Sequence, residues 1–202
     1  MDVALFDYGA GNLHSLKKGL EAGGGTVTIT PDWDRALSAE ALVLPGVGSF
    51  GAAVRSLRDR EEDVREALEA GLPCLGICLG MQLFFAESEE GEGTGIGLLP
   101  GRVRKLKGRR VPQMGWNDVA AEGDTLFRAT DPGQGLVAYY ANSYVCELTG
   151  DPSPIIAWSE YEGERFPAAV RRGRAVGVQF HPEKSSSPGL RLLKNFLEEA
   201  AR

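Results

Sequence analysis

A cysteine between two glycines is the residue of this chain best suited to nucleophilic chemistry. Cys78 stands in Gly76-Ile77-Cys78-Leu79-Gly80, after the apolar run 72–77 and before the helix-forming run 81–85. A nucleophile on a sharp strand-to-helix turn has an exposed tip, and small neighbours allow the bend. The helix N-terminus favours the thiolate, and the backbone N–H of Leu79 faces any oxyanion that forms. The pattern predicts a nucleophile rather than a packed thiol.

A histidine and a glutamate two residues apart supply the groups that such a thiol needs. The chain has only two histidines, His14 and His181, and His181 follows the predicted strand 175–180. Active sites of α/β proteins gather at such strand ends. Residues i and i+2 of an extended segment share a side, so Glu183 is expected to orient the imidazole. We predict Cys78, His181 and Glu183 as a catalytic triad, and His14 as a surface or packing residue.

Several segments carry a resemblance to a known family. The segments 76–82 and 177–183 are similar to the nucleophile turn and the His-Pro-Glu segment of the class I (triad) glutamine amidotransferases. Other segments resemble one branch of that family, which supplies ammonia to a (β/α)8-barrel cyclase of histidine biosynthesis. They are Asp-Tyr-Gly-Ala-Gly-Asn-Leu at 7–13, Pro-Gly-Val-Gly-Ser-Phe at 45–50, Met-Gly-Trp-Asn at 114–117 and Lys-Ser at 184–185. The resemblance runs through essentially the whole chain.

The resemblance implies L-glutamine as the substrate, with no cofactor and no metal. Its implied second oxyanion donor is the backbone N–H of Val47 or Gly48, which joins that of Leu79, and a peptide in 45–48 is expected to rotate before the hole is complete. Asn142 stands where the family usually has histidine, and an amide cannot titrate. The residues that the resemblance implies for glutamine binding are Gly46, Gln82, Ser143 and Tyr144.

No site for an ammonia acceptor is found in this chain. The resemblance instead implies a heterodimer with the barrel cyclase. Gly9 and Gly11 begin a dinucleotide-like pattern, but His14 occupies the position that needs its third glycine. Trp116 is expected to lie in a glycine-rich loop and is interpreted as an interface anchor, with a core tryptophan as the alternative. The residues predicted to lie at the partner interface are Asn12, Trp116, Tyr144 and Lys184.

Composition favours a cytoplasmic globular enzyme of one domain, 1–202. The chain has 202 residues, 43% of them hydrophobic and 25% charged, and its net charge of −6 argues against nucleic acid or an anionic membrane. No apolar run reaches the ~20 residues of a membrane span, and no signal peptide is expected. Three cysteines without a CxxC pair fit a reducing compartment. Cys74 and Cys146 lie in apolar or mixed strands, which favours packing roles.

The elements that must position the triad follow from hydrophobic periodicity. Alternating strands and helices predict an α/β fold with a mostly parallel central sheet flanked by helices, to which the second half adds antiparallel strands. Segment 87–95 is expected to be an exposed loop. The predicted helices are 13–22, 55–70 and 188–200, and the predicted strands are 2–6, 27–29, 41–44, 72–77, 136–145, 155–160, 166–171 and 174–180.

Three other interpretations compete with a cyclase-linked glutaminase. A glutaminase of anthranilate or aminodeoxychorismate synthase shares the triad but lacks the segments at 7–13 and 114–117. An inert regulatory subunit would have lost Cys78 or His181, and both are present. A cysteine hydrolase of free γ-glutamyl compounds would work without a partner.

Overall fold

A computed structural model describes residues 1–57, 59–121, 123–130 and 136–202. Its strands are β1 (Asp2–Phe6), β2 (Thr26–Thr30), β3 (Ala41–Leu44), β4 (Cys74–Ile77), β5 (Glu87–Ser88), β6 (Gly101–Lys105), β7 (Gln113–Ala121), β8 (Leu136–Asn142), β9 (Tyr144–Leu148), β10 (Ile155–Tyr161), β11 (Glu164–Arg172) and β12 (Ala175–Val178). Its α-helices are α1 (His14–Ala22), α2 (Trp33–Leu37), α3 (Phe50–Leu57), α4 (Glu61–Glu69), α5 (Leu79–Gln82) and α6 (Ser186–Ala200).

A nine-stranded sheet in the order β2-β1-β3-β4-β12-β11-β10-β7-β8 forms the centre of the molecule. The strands from β2 to β12 in that order run parallel, and those from β11 to β8 pair antiparallel. A smaller sheet has the order β5-β6-β9. The carboxyl ends of β3, β4 and β12 therefore lie side by side, which is where ligands bind in open α/β sheets.

Both faces of the parallel half are buried, as helices on the two sides require. Along β1, Val3 and Leu5 belong to one apolar cluster, whereas Ala4 and Phe6 belong to the other. The first cluster includes apolar residues of α1 and α6, and the second includes those of α2, α3, α4 and α5. This packing fixes the strand ends that carry the predicted triad.

The predicted α/β fold is confirmed, but three element assignments are wrong. Segment 55–70 is not one helix: α3 ends at Leu57 and α4 begins at Glu61, with Asp59 between them at a φ of 63°. Segment 136–145 is not one strand, because the chain divides at Ser143 into β8 of the large sheet and β9 of the small one. Segment 87–95 is not simply an exposed loop, because it contains β5 and its last residue, Gly95, is buried.

The sequence also failed to predict β6 and β7. Both strands carry glycine and charged or polar residues, and their burial patterns show several exposed or half-buried positions. Such strands lack the apolar run by which a buried strand is recognised. In the part of the chain that the structure describes, no helix has both the length and the apolar character needed to cross a membrane.

Candidate active site

Cys78 occupies a strained turn at the carboxyl end of β4. Its φ is 48° and its ψ is −102°, a conformation that residues with a side chain rarely adopt. The backbone N–H of Cys78 donates to the carbonyl of Val178 at 2.7 Å, and its carbonyl accepts from Gln82 N–H at 3.0 Å. The turn is thus anchored to β12 on one side and to α5 on the other. Such an anchored bend is the one predicted for a nucleophile.

The two glycines that flank Cys78 are required by close backbone approaches. A Cβ on Gly80 would lie 2.1 Å from the carbonyl oxygen of Leu44, and a Cβ on Gly76 would lie 2.6 Å from the carbonyl oxygen of Gly80. Neither position admits a larger residue without displacement of the backbone. A third glycine, Gly46, lies against the reactive groups themselves. A Cβ there would lie 2.9 Å from both Cys78 Cβ and His181 Cε1.

His181 and Glu183 meet beside the thiol. Nδ1 of His181 and Oε1 of Glu183 are 2.9 Å apart, and both side chains are almost fully buried. The expected reason for this pairing is wrong, because Glu183 lies in a 3-10 turn (Pro182–Lys184) rather than on an extended segment. The turn brings the carboxylate back to the imidazole. The remaining ring nitrogen of His181 is then the one available to Cys78.

The pKa of His181 reflects this arrangement. Burial lowers the pKa, but hydrogen bonds with Cys78 and Glu183 and the negative charges of both outweigh burial and raise it from 6.5 to about 9. The imidazole is therefore protonated at neutral pH beside the sulfur of Cys78. A thiolate–imidazolium pair has the nucleophile and the proton donor of amide cleavage already in place.

A cleft of about 170 Å³ opens at Cys78. This volume is below the ~300–1,000 Å³ of pockets for drug-sized ligands and suits a small polar molecule. All four residues predicted to bind glutamine line it, and so do two of the three predicted oxyanion residues, Gly48 and Leu79. The lining residues are Gly46, Gly48, Cys78, Leu79, Gln82, Glu90, Ala141, Asn142, Ser143 and Tyr144.

The third predicted oxyanion residue, Val47, is not among the residues that line the cleft. A Cβ on Gly11 would lie 2.5 Å from Cβ of Val47, so the backbone of Gly11 packs tightly against the Val47 side chain. Gly48 has a φ of 100°, in the region that favours glycine. The segment 46–48 thus borders the cleft at Gly46 and Gly48 and contacts the loop 9–12 through Val47.

Sequence reasoning missed three residues of the cleft wall, Glu90, Ala141 and Asn142. Glu90 comes from the segment interpreted as a loop, and its Oε2 accepts a hydrogen bond from the backbone N–H of Phe50 at 3.0 Å. The only signal in the sequence was an acidic run. Asn142, noted as a departure from the family, donates from Nδ2 to the carbonyl of Tyr144 at 3.1 Å. It therefore supports the predicted glutamine-binding segment.

The remaining cysteines and histidine lie as expected. Cys74 and Cys146 are fully buried, and burial raises the pKa of each thiol. Cys146 also lies close enough to Cys78 for the charge of Cys78 to raise its pKa further. His14 is exposed at the start of α1.

Two of the four predicted interface residues, Trp116 and Lys184, lie beside the same side chain, Tyr139, and the other two, Asn12 and Tyr144, do not share that contact. Trp116 lies on β7, not in a glycine-rich loop, and is 55% exposed, so the alternative of a core tryptophan is wrong. Its ring meets that of Tyr139 edge-on at 6.0 Å, and the ammonium of the exposed Lys184 lies 5.9 Å from the Tyr139 ring. We call Met114, Trp116, Tyr139 and Lys184 the aromatic face. Asn12 is exposed, and Tyr144 lies in the cleft.

Cavity volume alone does not identify the site. A second cavity of about 200 Å³ is lined by Pro73 and Arg174, at the amino ends of β4 and β12. Its Arg171 guanidinium already pairs with Asp124 at 2.6 Å and with Glu199 at 3.0 Å. That cavity is an ion-paired structural region, whereas the cleft at Cys78 is lined by a nucleophile that lies beside its acid–base partner, His181.

Comparison with known proteins agrees with the class of enzyme that this geometry indicates. The family model "Glutamine amidotransferase class-I" matches residues 4–200. A crystal structure of a glutamine amidotransferase superposes with a TM-score of 0.76 at 23% identity, covering 99% of both chains. The structure of PurLQS from Thermotoga maritima gives a TM-score of 0.74 at 21% identity, covering 98% of both chains. The chain belongs to the class-I glutamine amidotransferase family.

Relatives within that family are named as the subunit of one particular enzyme. The imidazole glycerol phosphate synthase subunit HisH of Gloeobacter violaceus is 44% identical, over 99% of this chain and 90% of the relative. The subunit HisH of Leifsonia xyli is 45% identical, over 96% of this chain and 97% of the relative. The predicted family and the predicted branch are both confirmed, and the glutaminases of anthranilate and aminodeoxychorismate synthase are not favoured.

Proposed function

We propose that this chain, acting as one amidotransferase domain in the cytoplasm, hydrolyses L-glutamine and passes the ammonia to a (β/α)8-barrel cyclase. The cyclase would use that ammonia to make imidazole glycerol phosphate and an aminoimidazole carboxamide ribotide in histidine biosynthesis. The observation that carries the proposal is the strained Cys78 turn beside the 2.9 Å pair of His181 and Glu183, at the base of a small polar cleft.

The first half of the reaction forms a thioester. The Cys78 thiolate attacks the γ-carboxamide carbon, and the negative charge moves to the carboxamide oxygen. As this tetrahedral intermediate collapses, the imidazolium of His181 donates its proton to the nitrogen and the C–N bond breaks. Ammonia leaves, and His181 is left neutral with Glu183 holding its Nδ1 side.

The second half restores the enzyme. Neutral His181 takes a proton from water as the water oxygen attacks the thioester carbon. The C–S bond then breaks, its electron pair returns to sulfur, and glutamate leaves. The thiolate–imidazolium pair is regenerated without any other reactant.

The cleft offers complementary groups to each end of glutamine. Glu90 presents a carboxylate to the cleft, which suits the α-ammonium group of the substrate. The backbone of Ser143 and Tyr144 lines the cleft beside Gln82 and suits the remainder of the amino-acid end. Binding at these residues places the γ-carboxamide over Cys78.

The oxyanion hole gives the partner a means of control. Leu79 supplies one N–H from the start of α5, and the second would come from the peptide of Val47 or Gly48. Loss of one donor costs about 3–4 kcal/mol of transition-state stabilisation. If the 45–48 peptide rotates only in the complex, the chain alone has almost no glutaminase activity and releases almost no ammonia without an acceptor.

The aromatic face is the proposed docking surface for the cyclase. Trp116 and Met114 are 55% and 63% exposed on β7, and Lys184 immediately follows Glu183 in the chain. Aromatic and methionine side chains are enriched at interface cores. A partner seated on this face would contact the turn that carries Glu183.

Glutamate release from glutamine tests the proposal. We expect almost no glutamate release from the chain alone. The rate of release should rise at least about 100-fold when the barrel cyclase and its phosphoribosyl ligand are both added. Full activity without a partner would instead identify a free-standing hydrolase. If no glutamate is released under any of these conditions, glutaminase function is refuted. Iodoacetamide should then alkylate one thiol per chain, because Cys74 and Cys146 are fully buried in the folded protein, which checks that the protein is folded and its nucleophile intact.

A further inference from the structure

Gln179 is a fully buried polar residue of the His-Pro-Glu segment to which the mechanism above gives no role. It directly follows β12, and its backbone N–H donates to the carbonyl of Ala168 at 2.8 Å. Its side-chain Nε2 lies 3.4 Å from Sγ of Cys78, within the range of an N–H···S hydrogen bond. A buried amide is costly unless it is bonded, so its orientation toward the sulfur calls for an explanation.

A second glutamine fixes that orientation. Gln82 Nε2 donates to the carbonyl of Tyr144 at 3.2 Å and makes a longer contact, 3.5 Å, with Oε1 of Gln179. Because Gln82 presents its N–H groups, the oxygen of Gln179 must face Gln82. The NH₂ group of Gln179 is then the end that faces Cys78. Two buried amides thus connect the glutamine-binding segment to the nucleophile.

We propose that Gln179 is a positioning residue, whose side-chain amide donates a hydrogen bond to Cys78 and holds the thiolate toward the carboxamide of the substrate. The inference rests on the proposed function, because it assigns this role only to a sulfur that acts as a nucleophile. Gln179 does not touch the substrate in this scheme, and it acts through the sulfur.

Burial explains why the thiolate needs this donor. Cys78 is only 7% exposed, so water supplies few hydrogen bonds to its charge. His181 stabilises the thiolate from one side, and Gln179 does so from β12. When the sulfur becomes part of a thioester its charge disappears, and the N–H···S bond weakens. The bond therefore favours the thiolate over the thiol before the attack, and it favours departure of the thiolate when the thioester is hydrolysed.

Other ionisable groups around the sulfur must be considered in any pH measurement. His181 and Glu183 face it from the turn after β12, Glu90 lines the same cleft, and Cys146 lies close to it from β9. None of these groups is altered by a substitution at Gln179. A change in the pH profile of such a variant therefore reports the amide itself.

The test compares Gln179→Met, which keeps the length of the side chain but removes the donor, with the wild-type chain. We expect kcat for glutamate release in the cyclase complex to fall about 10- to 100-fold with KM nearly unchanged, as for the loss of a hydrogen bond to a charged group. The pH profile of iodoacetamide alkylation of the free chain should move to higher pH, because the thiolate loses a hydrogen-bond donor. Alkylation reports Cys78, because Cys74 and Cys146 are fully buried.

A control and a second variant keep the test decisive. Gln113→Met removes another buried glutamine, on β7, and should leave both the alkylation profile and kcat unchanged. If Gln179→Met fails to fold, the nearly isosteric Gln179→Glu replaces it, and its negative charge should shift the alkylation profile further in the same direction. Wild-type kcat and alkylation in the Gln179 variants, or equal losses in Gln113→Met, would overturn the inference.

The two readouts separate this inference from the proposed function. If the wild-type complex releases no glutamate, the glutaminase proposal fails, whereas the alkylation profile of the free chain still decides whether Gln179 acts on the sulfur. If glutamate is released normally and only the Gln179 result is negative, the positioning role fails alone.

Discussion

The cleft at Cys78 and the aromatic face are two regions of opposite construction. The cleft lies at the ends of parallel strands, where Cys78 and His181 are almost fully buried and backbones approach too closely for a Cβ. The aromatic face lies on β7 and β8 of the antiparallel half and on the turn of Lys184, and its Met114 and Trp116 are mostly exposed. Substitutions in the buried cleft disturb the packing and chemistry of the chain itself, whereas substitutions on the exposed aromatic face remove contacts only with a partner. Chemistry and docking are therefore expected to respond to different substitutions.

The largest expected effect is loss of catalysis on removal of the nucleophile. Cys78→Ala should reduce glutamate release by at least about 10⁴-fold, because every bond-making step passes through the sulfur. Affinity for the cyclase should stay within about threefold of wild type. Cys74→Ala, on the strand β4 that leads into the turn, is the matched control and should keep kcat while lowering stability by about 1–2 kcal/mol. Comparable losses of kcat in the two variants would break the distinction between a reactive and a packed thiol.

A smaller effect is expected on the titration of His181. Cys78→Ala removes the hydrogen bond and charge that raise the pKa of His181, so this pKa should fall from about 9, with burial still lowering it. Since the folded pKa exceeds the ordinary 6.5, the pair stabilises the native protein below pH 6.5, and this stability is lost as pH rises through about 9. Glutamate release should decline over the same upper range, as the proton donor is lost.

NMR titration of the imidazole signals measures this, because the chain has only two histidines. The His181 signal is identified as the one that is absent from the spectrum of a His181→Gln variant and retained in that of His14→Ala. An unchanged His181 titration in Cys78→Ala would mean that the thiol and the imidazole are not electrostatically coupled.

The smallest of the three effects concerns the aromatic face. Trp116→Ala should weaken binding of the cyclase by about 10- to 100-fold, as for truncation of an aromatic anchor, without altering alkylation of Cys78 in the free chain. Ile29→Ala is the matched control, since Ile29 is also exposed but lies on β2, at the other edge of the nine-stranded sheet. Titration calorimetry measures both affinities. Unchanged affinity in Trp116→Ala would refute its role as an anchor.

The sequence predicted the nucleophile turn because the glycines that the turn requires lie within two residues of Cys78 in the chain. A Cβ on Gly76 or Gly80 would lie 2.6 or 2.1 Å from a backbone carbonyl oxygen, so only glycine fits at these two positions that flank Cys78. The buried parallel strands were predicted for a similar reason, since they are continuous apolar runs. By contrast, β6 and β7 are partly exposed and polar, and the break between α3 and α4 interrupts a pattern that reads as one helix.

The amino-acid sequence by itself determined the class of chemistry and the α/β order of elements, because a strained turn, a His-x-Glu segment and apolar runs are all local patterns. Only the tertiary structure decided which distant groups share the cleft. Glu90, Asn142 and Gln179 come from three separate segments, and no spacing in the chain shows that they converge near Cys78. The exposure of Trp116 was likewise settled by the side of β7 on which it lies. Contacts between segments far apart in sequence depend on how sheets and loops pack, and local patterns carry no record of that packing.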